Sequence, residues 1–99
     1  MIERIVLIKL NDEHAHDAGR AAVAARSREV LSALPDVTAV AVGVPADESS
    51  LKSWDLSLTL RFESLEAVEA YRVHPSHRAY VDEYLKPRLL LIKAWNFDI

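Results

Sequence analysis

The segment from Arg88 to Ile99 limits the fold more than any other part of the chain, because it is apolar on both alternating sides. Leu89, Leu91, Trp95 and Phe97 fall on one parity, and Leu90, Ile92 and Ala94 on the other. In an extended strand successive side chains point to opposite faces, so both faces of this strand need cover, and one layer of helices supplies only one. Residues 2 to 10 make a similar demand: Ile2, Val6, Ile8 and Leu10 share a side with Arg4, while Ile5 and Leu7 share the other with Glu3 and Lys9. A chain of 99 residues leaves room for one domain and buries only about two-thirds of the surface its unfolded form exposes. The second face is therefore expected to be covered by another copy of the same chain.

The intervening segments supply the helices. From about His14 to Leu34 the composition turns to Ala, Arg and Glu, and Val23, Ser27, Val30, Leu31 and Leu34 recur at the spacing of one helical face. Pro35-Asp36 is turn chemistry, and the β-branched run from Val37 to Val44 reads as a second strand. Residues 45–53 read as a polar, flexible loop. Trp54, Leu56, Leu58, Leu60 and Phe62 then alternate with Asp55, Ser57, Thr59 and Arg61 as a third strand. Ser64 suits a helix N-cap, and the helix beginning at Leu65 is expected to break at His74, which precedes Pro75. A further helical stretch places His77, Tyr80, Val81, Tyr84 and Leu85 on one stripe and stops at Pro87. The order β-α-β-β-α-β, with the second helix split, predicts an α+β ferredoxin-like domain over residues 1–99, with helices on one face of a four-stranded antiparallel sheet. The second strand would lie at an edge, yet it carries no Lys, Glu or Pro to block pairing. A homodimer packed sheet against sheet answers both the bare face and the unguarded edge.

Composition removes several classes of function. The chain has no cysteine, which excludes a disulfide framework and thiol chemistry. With 12 Lys and Arg scattered against 15 Asp and Glu, the net charge is −3, which gives no footprint for nucleic acid or an anionic membrane surface. No apolar run approaches the length of a membrane span and the first residues do not read as a secretory leader, so a cytoplasmic protein is expected. His14 with His16, and His74 with His77, are too few ligands for a metal site, and none is expected. Trp54, Trp95 and Phe97 read as strand-face core residues rather than a cofactor box; no cofactor is implied.

Three residues stand out as a candidate site. Arg4 interrupts an apolar strand face, His77 opens the apolar stripe of the last helical stretch, and Tyr71 lies on the covered face of the preceding helix. If those faces meet, a cation, an imidazole and a phenol converge in an apolar cleft, the usual form of a ligand pocket. His77 would then serve as general base, Tyr71 would position or protonate an oxygen, and Arg4 would bind an anionic or aromatic ligand through a carboxylate or a developing enolate. The alternative is structural: Arg4 snorkels to solvent or pairs with a carboxylate, and His77 fixes a helix entry.

The opening strand IERIVLIKL, the LPDV turn, the VGVP end of the second strand and above all FESLEAVEAYRVHPSHRAYV, from Phe62 to Val81, resemble the stress-responsive α/β barrel domain family. The resemblance spans nearly the whole chain and implies a dimeric α/β barrel. Some members are known only as stress-induced proteins. A plant member, olivetolic acid cyclase, closes a polyketide by an aldol reaction, and its motif histidine and tyrosine correspond to His77 and Tyr71. Its first-strand histidine corresponds to Arg4, and arginine cannot act as a base. The resemblance thus implies a dimeric small-molecule-binding protein, with cyclase or lyase chemistry as its catalytic form. A non-catalytic stress protein acting through oligomerisation and a cofactor-free monooxygenase are the alternatives.

Overall fold

Strict alternation in the third strand decides which side of the sheet becomes the core. In a computed structural model describing residues 1–99, β1 (Ile2–Leu10), β2 (Ala39–Gly43), β3 (Leu56–Phe62) and β4 (Leu89–Asp98) form one sheet in the order β2-β3-β1-β4. Every neighbouring pair is antiparallel. Leu56, Leu58, Leu60 and Phe62 of β3 are buried beside Ile2, Val6, Ile8 and Leu10 of β1, and they form one core with Val23, Leu31, Leu34, Val68, Tyr71, Tyr80 and Leu85 from the helices. The chain therefore has the ferredoxin-like fold that its element order predicts.

The helices begin where local chemistry can satisfy their free N–H groups. α1 (Asp17–Ser32) starts later than the composition suggests, because His16 is its N-cap and its Nδ1 accepts the Gly19 N–H at 3.0 Å. Before it, the chain folds back so tightly that a Cβ at Gly19 would lie 2.0 Å from the His14 carbonyl oxygen. Only glycine fits there. Residues 45–53 are not wholly a loop: α2 (Glu48–Ser53) is capped by Asp47, whose carboxylate accepts the Ser50 N–H at 2.8 Å. This helix buries none of its residues, so it has no apolar stripe by which its periodicity would be recognised. α3 (Leu65–Val73) is capped by Ser64 as expected. His74 ends it and starts α4 (Pro75–Ala79), with Pro75 at a position where its missing N–H costs nothing. A wider π turn over Tyr80–Leu85 and a 3₁₀ turn over Lys86–Arg88 then lead into β4.

One polar pair ties the strands to α1. Asp55 is buried, and its carboxylate accepts the Leu10 N–H at 2.8 Å and the Arg20 guanidinium at 3.0 Å.

The far face of the sheet is bare. Strand register places Ile5 and Leu7 of β1 opposite Trp95 and Lys93 of β4 on that face, together with Ala39 and Ala41 of β2 and with Leu91 and Phe97. Trp95 is 45% exposed and Phe97 50%. These two aromatics are thus not part of this chain's own core, because β4 is an edge strand and the helices lie on the other side of the sheet. Trp54, just before β3, is half-buried.

Candidate functional site

Arg4 occupies the helix-covered row of β1 between Ile2 and Val6, with Leu60 of β3 and Asn96 of β4 as its cross-strand neighbours. It neither snorkels away nor pairs with a carboxylate. Its Nη1 donates to Asn96 Oδ1 at 2.9 Å, while its Nε is buried without any partner. Burial holds its pKa below the usual value, but a guanidinium remains charged at any working pH.

Tyr71 projects from α3 into the same region and is only 3% exposed. Its ring lies edge-on to Phe62 at a centroid distance of 5.0 Å and against His77 at 4.1 Å. Burial pushes its phenol well above the ordinary value, against an opposing pull from Arg4. The hydroxyl therefore stays protonated and available as a donor.

His77, on α4, completes the trio. Its Nδ1 lies 3.2 Å from the Arg72 carbonyl oxygen. A carbonyl can only accept, so Nδ1 carries the proton and Nε2 keeps its lone pair. Nε2 has no protein partner and is not sealed from solvent. Burial lowers the His77 pKa below 6.5; the bond to the Arg72 carbonyl opposes this, and the charges of Arg4, Arg78 and Arg72 push it further down. The imidazole is thus neutral near pH 7 and competent to accept a proton.

The three residues converge on the helix-covered side of β1, with the Tyr71 and His77 rings in contact and Arg4 close enough to act on both electrostatically, but not in a deep cavity. Grooves of about 590, 400, 280 and 230 Å³ all lie elsewhere. The largest of these runs between α1 and the π turn, past Val30, Leu34, Tyr80 and Tyr84. On β4, the helix-side residues Ile92, Ala94 and Asn96 are exposed. Asn96, which fixes the Arg4 head group, escaped the sequence analysis. Only the β1–β4 register brings residues 92 positions apart together.

The remaining histidines have local duties. His14 Nδ1 is 2.8 Å from Asn11 Oδ1, His16 caps α1, and His74 Nδ1 accepts the Ser76 N–H at 3.1 Å. No group of three His, Asp or Glu side chains is placed to hold a metal ion, and no helix is long and apolar enough to cross a membrane.

The sequence matches the family model of the stress responsive A/B barrel domain over residues 2–98. No curated protein matches it significantly. Among solved structures, the chain is similar to a protein of the same family with a ferredoxin-like fold from Mesorhizobium loti, at 18% identity and a TM-score of 0.84, over 99% of this chain and 95% of that one. It is similar to a dimeric ferredoxin-like protein of unknown function from Bacteroides fragilis, at 24% identity and a TM-score of 0.80, over 99% and 95% of the two chains. It is also similar to the hydroxynitrile lyase of Passiflora edulis, at 13% identity and a TM-score of 0.79, over 99% and 92%. At these identities the likeness is one of fold.

Proposed function

The chain belongs to the stress-responsive A/B barrel domain family, and from that premise we propose that it acts as a sheet-to-sheet homodimer in which each subunit binds a small oxygenated molecule beside Arg4, Tyr71 and His77. The observation that carries the reading is the state of His77: its Nδ1–H is tied to a backbone carbonyl and its Nε2 lone pair is free, next to a protonated phenol and a guanidinium. This set suits proton transfer. His77 Nε2 removes a proton adjacent to a carbonyl or from a hydroxyl, while Arg4 and the Tyr71 hydroxyl offset the negative charge that develops on oxygen. Lyase or cyclase chemistry is the class that uses such a step, and the hydroxynitrile lyase among the neighbours has the same fold. That support is an analogy between folds.

Exchange of α-hydrogens for deuterium, followed by NMR over a panel of aryl ketones and β-diketones, tests the reading. Exchange should be accelerated by the protein and fall by about 10²- to 10⁴-fold in His77→Ala, the usual contribution of a positioned base. Binding should survive that change. Equal exchange by parent and variant would remove His77 from any such role.

One observation favours a second reading, a non-catalytic stress protein whose self-association is its function. The sizeable grooves do not include the trio. On this reading the dimer forms but no compound in the panel binds saturably.

A further inference from the structure

We infer that the molecule bound beside His77 carries a carboxylate, seated side-on across the Nε–H and Nη2–H edge of Arg4. This rests on the reading of Arg4, Tyr71 and His77 as a ligand site and names the chemistry that such a ligand must have.

Two details of the Arg4 head group point there. A guanidinium has two edges that can grip a planar anion in parallel hydrogen bonds, one at its tip and one along its side. Asn96 takes Nη1, the nitrogen on the same side as Cδ, and so occupies part of the tip. The side edge, formed by Nε–H and Nη2–H, has no protein acceptor, and Nε is out of reach of bulk water. A buried donor without an acceptor is uncommon in a folded protein and calls for an explanation. A planar carboxylate satisfies both donors of the edge at once.

The charge around the edge is consistent with this. Arg4 takes part in none of the ion pairs, whereas the nearby Arg72 and Arg78 have Glu69 and Asp82 as partners. Of these three guanidiniums Arg4 is therefore the one with no carboxylate at ion-pair distance, and Glu69, already bonded to Arg72, acts on it only at longer range. A carboxylate suits it better than a phosphate dianion, which would need donors beyond a single arginine, and the trio supplies only the Tyr71 hydroxyl in addition. With a carboxylate at Arg4, the rest of the ligand lies toward the Tyr71 ring and His77 Nε2.

The test observes the Arg4 Nε–H resonance of the full-length protein by ¹H–¹⁵N NMR, assigned by its loss in Arg4→Lys. Acetate and benzoate should shift it saturably, and acetamide and benzamide, which match them in shape but lack the charge, should not. Arg4→Lys should weaken benzoate about thirtyfold, since lysine keeps the charge but not the fork. An Arg4 Nε–H resonance that stays unmoved by both acids, or that moves equally with the amides, overturns the inference. Tighter binding of inorganic phosphate than of benzoate also overturns it. Amides that shift the His77 ring signals without touching Arg4 would sink the carboxylate while leaving the wider small-molecule reading intact.

Discussion

Replacing Trp95 by alanine is the sharpest test of the sheet-to-sheet dimer. Trp95 is 45% exposed in the single chain and stands opposite Ile5 in the β1–β4 ladder, on the uncovered face. A tryptophan presents up to about 250 Å², so roughly 110 Å² of its surface awaits cover. At about 25 cal/mol per Å², burying that area yields close to 2.8 kcal/mol per subunit. Alanine retains a fraction of this, leaving a loss of about 2 kcal/mol on each side. A two-fold interface uses the same patch twice, so the dimer should weaken by about 4 kcal/mol, or roughly a thousandfold in dissociation constant. Sedimentation velocity across a dilution series reads this directly: the parent should run near twice 11.1 kDa, and Trp95→Ala should dissociate at micromolar concentration. Leu65, 57% exposed at the start of α3, lies away from the sheet face, and Leu65→Ala should leave the dimer untouched. A parent protein that is monomeric at micromolar concentration, or a Trp95→Ala dimer as tight as the parent, would refute the assignment of that face.

Two further outcomes follow from polar groups. Asp55→Ala removes the acceptor of the buried Leu10 N–H and one partner of Arg20; it should cost about 3 kcal/mol, which for a domain of this size lowers Tm by about 12–24 °C when calorimetry is run at fixed protein concentration. The acid limb of any His77-dependent exchange should fall below pH 6.5, because burial and the neighbouring arginines lower that group's pKa: activity is full above the depressed pKa and is lost as pH falls through it. The same depression means that the unfolded chain takes up the proton first, so stability should also decline as pH drops from 6.5 toward the folded-state pKa. A pH–rate profile whose acid limb lies above 6.5 would contradict the burial of His77.

Most of the fold was legible because one face of β3 is strictly apolar. In β3 a shift of one residue would expose Leu56, Leu58, Leu60 and Phe62 together, so their alternation admits one register. The break at His74 was equally plain, since Pro75 forbids helical continuity there, and it is this break that turns the His77 ring back onto Tyr71. α2 was hidden because it buries nothing. Trp95 and Phe97 were misread as core residues because parity assigns a residue to a face but does not say whether the chain itself covers that face. For the candidate site, the residue types and the covered faces pointed to Arg4, Tyr71 and His77 as a group, and the structure sets the His77 ring against Tyr71 with Arg4 close enough to act on both. Asn96 was invisible, because its role depends on the pairing of the first and last strands. The lack of a deep cavity around the trio was equally so, since grooves arise from side-chain packing and leave no periodic mark.

On the proposed reading, position 4 brings stability and ligand binding into opposition, and Arg4→Leu makes that opposition measurable. Its neighbours in the same row of β1, Ile2 and Val6, are buried aliphatic residues, so a leucine there would extend an apolar face. The arginine instead holds a partly desolvated charge and a buried Nε donor with no acceptor. An unsatisfied buried donor costs about 1–3 kcal/mol. What leucine gives up is the bond to Asn96, but Asn96 is exposed and water can replace the guanidinium there. The net expectation is that Arg4→Leu stabilises the fold by about 1–2 kcal/mol and eliminates carboxylate binding. Urea unfolding at fixed protein concentration, paired with a benzoate titration, reads both quantities. A destabilised Arg4→Leu would mean that the guanidinium is a structural member of the core, and the energetic reason for expecting a ligand on its free edge would be gone. A stabilised variant that no longer binds benzoate would identify Arg4 as a residue kept for what it holds.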